Sequence, residues 1–184
     1  MGQYYIPVLR DHGKQNFKSY RATYGAGLKL TEHSWWKNEL VNGIAEKLYH
    51  NPMHLYWIGD YSDDASITPP KNAYRSAWGP RSKPEQIGSE TFSLDHKLLV
   101  NHTKKQILWC DGYYKDLDGK SFGQGWVMHP LSLLTAFGNG LGGGDYRGPN
   151  EDDIGTWGGD LISVEDMSFF SFGYNAVTYR FWED

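Results

Sequence analysis

A single cysteine, Cys110, in 184 residues excludes an intramolecular disulfide and any zinc site built on cysteine pairs. Hydrophobic runs of membrane-spanning length are missing, and no charged-then-apolar leader opens the chain. These absences predict a protein with no membrane partner that works in the cytoplasm, the host cell's if a phage encodes it. Gly2 occupies the place of a myristoylated glycine, but Ile6 stands where that signal needs Ser or Thr. The signatures of zinc proteases, P-loop NTPases and serine hydrolases are absent as well: there is no H-E-x-x-H, G-x-x-x-x-G-K-[ST] or G-x-S-x-G. No cofactor and no metal are expected.

Apolar residues make up only 39% of the chain, yet aromatics reach 16%, with eight Trp and thirteen Tyr to do much of the burying. Net charge is −4, which disfavours a long nucleic acid as partner. The charge is uneven. Residues 71–105 carry seven Lys or Arg against three acids, and residues 145–184 carry nine acids against Arg147 and Arg180. A locally basic segment on an acidic protein suits a small anion better than a polymer; solvated loops of opposite sign are the simpler reading of the same pattern.

The length suits one domain. GQYYIPVLRD reads as a strand that turns at His12-Gly13 and returns through NFKSYRATY. Trp36, Leu40, Val41, Ile44, Ala45 and Leu48 recur at helical spacing and predict the principal amphipathic helix over about 34–50, capped by Ser34 or Thr31 and stopped at Asn51-Pro52. MHLYWIG is a buried strand ending at Asp60-Tyr61, and residues 62–90 read as a surface excursion without period. HKLLVNHTKKQILWC predicts a hairpin, and Asp118-Gly119 marks a second turn. Pro130 opens a short helix near 130–136, and ISV and AVTYRFW supply late strands. The fold class is α+β, a mostly antiparallel sheet with one principal helix.

Residues 138–148, GNGLGGGDYRG, contain six glycines. Gly138, Gly140 and Gly143 match G-x-G-x-x-G in spacing only. A helix precedes them and an acidic segment follows, whereas a dinucleotide fingerprint lies between a strand and a helix. A more general use remains. Bare backbone through Gly142 and Gly143 can turn amides toward one point and cradle an anion, with Asn139, Asp145, Tyr146 and Arg147 beside it. The same glycines serve equally to wind a loop through positive φ. The predicted helix entrance is a second anion-friendly place: His33 and Lys37 flank its first turn, and Trp35 is available to stack on a base. Seven histidines are present, and His50 and His54 are separated by Pro52, which denies them a shared helical face. His102 and Lys104 share the hairpin turn, and His129 precedes Pro130. Asp116-x-Asp118-Gly is a fragment of a calcium loop, and Cys110 sits in an apolar run.

The order of MGQYY, GLKLTEHSW, WIGDY, NHTKK and HPLSLLTAFGNGLGGGDY resembles a family of proteins from phages, prophages and Gram-positive bacteria to which no activity is attached. The likeness spans nearly the whole chain and supplies no catalytic residues. It implies a phage association, and small phage proteins often disarm bacterial immunity by trapping nucleotide messengers. The first expectation is therefore an anti-defence binding protein that sequesters a small phosphate-bearing molecule, of the cyclic or ADP-ribose-type nucleotide class. In it, Lys37, Lys104 or Arg147 would hold phosphate, and Asp60 or Asp145 would read hydroxyls. The second is a metal-independent phosphodiesterase or nucleotide hydrolase using His33, His102 and His129 as acid and base. The third is a protein-interaction module without a small ligand. A homodimer is compatible with all three.

Overall fold

Alternating bulky residues around a glycine turn make the first hairpin: β1 (Tyr5–Asp11) pairs antiparallel with β2 (Phe17–Arg21), and Gly13 takes a positive φ between them. The computed structural model describes residues 1–23, 28–62, 73–78, 83–110, 128–169, 172–179 and 181. The turn at Asp118-Gly119 and the calcium-loop fragment lie outside them. β3 (Met53–Gly59) runs antiparallel along the full length of β1, from Tyr5 opposite Gly59 to Asp11 opposite Met53.

The predicted hairpin forms as β5 (Lys97–Asn101) and β6 (Gln106–Trp109), and ISV becomes the centre of β8 (Leu161–Asp166). β8 is inserted between β3 and β5, antiparallel to both, and joins the two halves of the sheet. Three short strands add parallel edges: β4 (Glu85–Gln86) beside β2, β7 (Ala136–Phe137) beside β3, and β9 (Asn175–Val177) beside β6. The order is β4-β2-β1-β3-β8-β5-β6-β9, with β7 branching from β3. The fold is α+β on a mostly antiparallel mixed sheet.

The principal helix is shorter than its hydrophobic period suggests. α1 (Leu30–His33) is a separate turn, and α2 (Glu39–Lys47) starts afresh after Asn38, whose side-chain oxygen accepts from the amides of Leu40 and Val41 at 3.0 and 3.2 Å. Thus neither Ser34 nor Thr31 is the cap. Trp36 is buried before the helix begins, its indole donating to Asp95 at 3.3 Å. The helix ends before Asn51-Pro52, with His50 in the left-handed region. α3 (Ala73–Trp78) and β4 give structure to part of the 62–90 excursion. α4 (Pro130–Leu134) places Pro130 at its first position and His129 at its cap, and stops two residues before the expected end.

One face of the sheet carries the main core, in which Val41 and Ile44 of α2 and Leu48 at its C-terminal cap join Leu55, Trp57, Leu99 and Val164. Burying each of these aliphatic side chains contributes about 1.5–3 kcal/mol. The opposite face has two smaller clusters. Ile6, Val8, Tyr56 and Ile58 lie under Tyr74 and Ala77 of α3, and Leu98, Val100 and Ile107 lie under Met167, Phe169 and Tyr174. No helix among the described residues is long and apolar enough to cross a membrane.

Candidate functional site

α4 and β7 deliver the chain into the glycine loop, which folds back on the first residues of the protein. Gly2 and Gly143 form a β-bridge, Gln3 N–H donates to Gly143 O at 3.0 Å, and Gly143 N–H donates to Met1 O at 3.0 Å. The bare backbone is needed for that approach. A Cβ on Gly142 would lie 2.4 Å from Gln3 Cβ and 2.8 Å from the Gln3 nitrogen. On its other side the loop accepts, through Gly144 O, the amide and the hydroxyl of Thr31, both at 3.1 Å.

The predicted anion cradle is present, and the protein fills it with its own carboxylate. Gly140 N–H and Gly142 N–H donate to Asp145 Oδ2 at 2.8 and 2.9 Å, while the Tyr5 hydroxyl donates to Asp145 Oδ1 at 2.9 Å. Asp145 is 6% exposed. Burial first, then the adjacent Asp145 charge, raises the Tyr5 phenol far above its ordinary range, so it remains a donor. Asn139 clasps the next residue from both sides, accepting from Tyr146 N–H at 2.9 Å and donating to Tyr146 O at 3.2 Å. Tyr146 is buried and donates its hydroxyl to Pro149 O at 2.8 Å. Asp145, Tyr146, Gly142 and Gly143 therefore build the loop, and the amides of Gly140 and Gly142 are already engaged.

Beside the closed loop lies an open cleft of about 450 Å³, lined by Phe137, Gly138, Gly140, Arg147, Glu151 and Asp152 among others. Gly138 and Gly140 both adopt positive φ, and a Cβ on Gly140 would meet only the Arg147 guanidinium, at 3.9 Å. Arg147 is anchored by Glu151 Oε1 at 2.6 Å and by Gly140 O at 3.2 Å, with its side chain 60% exposed. Of the expected site residues, Arg147 and Asn139 line this cleft. Phe137, Glu151 and Asp152 were missed, although the acidic NEDD run directly after the glycines was a visible signal.

Asp60 accepts from Tyr4 N–H at 3.1 Å, and the neighbouring Ser62 packs under Gly138. Tyr61 is exposed. Trp35, half-buried, pairs through its backbone with Met128, and Lys37 is exposed on the turn before α2.

The three candidate acid–base histidines have different surroundings. His33 is fully buried against Trp57: its Nδ1–H donates to Lys29 O at 2.7 Å, and its Nε2 accepts from the Trp57 indole N–H at 2.6 Å. Burial pushes its pKa down to about 4. His129 is fully buried and stacked on Trp36; its Nδ1 accepts from Leu131 N–H at 3.1 Å, its Nε2 has no partner among the described residues, and burial pushes it down to about 3. Both rings are neutral at physiological pH and sealed from solvent.

His102 lies elsewhere, on the β5–β6 turn, with Nε2 2.8 Å from Ser163 Oγ and Nδ1 2.9 Å from the Tyr174 hydroxyl. Ser163 is buried, so the pair resembles a serine–histidine couple only in distance. Burial first, then Lys105, lowers the His102 pKa. Lys104 binds the carbonyl of Thr156 and stands 3.8 Å from Asp160. No group of three or more His, Cys, Asp or Glu among the described residues is arranged to hold a metal ion. Set against known protein families, curated proteins and solved structures, the chain matches none.

Proposed function

We propose that the protein binds a small phosphate-bearing molecule of the nucleotide class in the cleft beside the glycine loop, and holds it without turning it over. The observation that supports this reading is the makeup of that cleft. Its volume, about 450 Å³, falls within the range of small-molecule sites, about 300–1,000 Å³. The Arg147 guanidinium is held in place by Gly140 O and Glu151. A phosphate arriving there exchanges one oxyanion partner for another, with the fork already oriented. Glu151 and Asp152 are hydroxyl acceptors of the kind that read a ribose diol, and the Phe137 ring offers an apolar face to a base.

Trapping is favoured over hydrolysis because His33 and His129 are sealed in the core and His102 is committed to Ser163 and Tyr174. In a phage setting, such capture would lower the free concentration of an immune nucleotide signal. The test is calorimetric titration with a panel of cyclic and ADP-ribose-type nucleotides, followed by heating the complex and identifying what is released. One site, intact released ligand, and loss of binding in Arg147→Ala are expected. No binding across the panel removes the proposal, and a chemically altered ligand replaces it with the hydrolase reading.

A further inference from the structure

His12 and His54 are 42 residues apart in the chain, and the β1–β3 pairing brings their rings together at the surface. Arg10 lies directly opposite His54 in the antiparallel register, so His12, two residues further on, is its diagonal neighbour on the same face. The rings are tilted 31° with centroids 5.6 Å apart, and His12 Nδ1 faces His54 Nε2 at 3.4 Å.

From this geometry we infer a two-histidine site for a borderline divalent transition-metal ion, Zn²⁺ being the best fit. Two nitrogens each about 2.0–2.1 Å from a tetrahedral Zn²⁺ lie about 3.3–3.4 Å apart, which is the separation found here. As a hydrogen bond the same distance is long, since N–H donors usually lie about 2.7–3.2 Å from their acceptors.

The second support is the orientation of His54. Its Nδ1 is 2.9 Å from Gly159 O, and a carbonyl can only accept, so Nδ1 carries the proton and Nε2 bears the lone pair. A backbone carbonyl on the far nitrogen is the usual device for fixing the tautomer and aim of a metal-binding histidine. His12 is exposed in the turn; when Nδ1 binds metal its proton moves through water to Nε2, so a neutral ring releases none.

The charged groups around the pair pull in both directions. Arg10 opposes a cation, but its guanidinium is drawn over the Phe17 ring and toward Lys14 O. Asp160 favours a cation near His54, and Asp11 is engaged by Lys14 at 2.6 Å. With no third protein ligand among the described residues, water completes the coordination. The site is therefore open and exchangeable, selective for imidazole-seeking metals over Ca²⁺ and Mg²⁺.

The test is calorimetric titration of the untagged full chain with Zn²⁺ at neutral pH in a non-chelating buffer. One equivalent binds, Mg²⁺ does not compete, and His12→Ala or His54→Ala each weakens binding at least about tenfold, while His96→Gln leaves it unchanged. Long-range ¹H–¹⁵N spectra of the wild-type chain place the metal on His12 Nδ1 and His54 Nε2, a readout independent of how the variants fold. Absence of saturable binding at millimolar Zn²⁺, binding unaltered by both alanine variants, or metal-induced shifts on other histidines would overturn the inference.

Discussion

Lowering the pH from 7 to 5 attacks the two sealed histidines directly. His33 and His129 are held at about 4 and about 3, against an ordinary value of 6.5. Their folded-state pKa values are depressed, so each contributes stability that is complete above pH 6.5 and is lost as the pH falls from 6.5 toward 4 and 3. Within that window the unfolded chain binds two protons that the folded chain refuses, and stability falls by about 2.7 kcal/mol per pH unit. Between pH 6.5 and 5 the loss is about 3 kcal/mol, because the slope builds up only as the unfolded histidines protonate, and that is a large part of the roughly 5–15 kcal/mol that holds a domain together. His54 and His102, also lowered, add in the same direction.

The structural reasons differ. A proton on His33 Nε2 would set N–H against the Trp57 N–H, and one on His129 Nδ1 would remove the cap from α4. The assay is urea unfolding of the wild type and His129→Asn at intervals from pH 7.5 to 5. Asn keeps an acceptor for Leu131 N–H but does not titrate, so the slope should drop by about 1.4 kcal/mol per pH unit even if the variant is less stable throughout. A wild-type stability that stays level between pH 7 and 5, or identical slopes for the two proteins, would refute the reasoning.

Two further outcomes follow from buried groups. Asp145→Ala leaves two loop amides and the Tyr5 hydroxyl without their acceptor and should cost about 3 kcal/mol or more in urea unfolding, with Asp145→Asn losing less; a change within about 0.5 kcal/mol would show the nest to be unimportant. Cys110 is buried in the core and its thiol is pushed up to about 12 by that burial, so a thiol reagent should label it only as the protein unfolds, and rapid labelling under native conditions at neutral pH would contradict its placement.

Elements whose signals are local were legible in the sequence. Gly13 announced the first hairpin, Pro130 announced α4, and unbroken apolar runs announced β3 and the β5–β6 pair. The start of α2 was not, because Trp36 extends the helical period by chance while packing in the turn that Asn38 terminates. The place of β8 between β3 and β5, and the parallel edge strands, depend on pairings across the whole chain that no local pattern encodes. The candidate site divides in the same way. Asp145 lies three and five residues from the amides it occupies, so the closing of the nest was within reach of local reasoning. By contrast, His102 meets Ser163 and Tyr174 over 61 and 72 residues, and His12 meets His54 over 42.

The bond from Tyr5 to Asp145 spans 140 residues. On the ribosome, β1 can pair with β2 and β3 long before the carboxylate that accepts from Tyr5 has been translated. The bond that closes this corner is accordingly a late event set by a distant partner, and it completes a part of the sheet whose strands can already be paired.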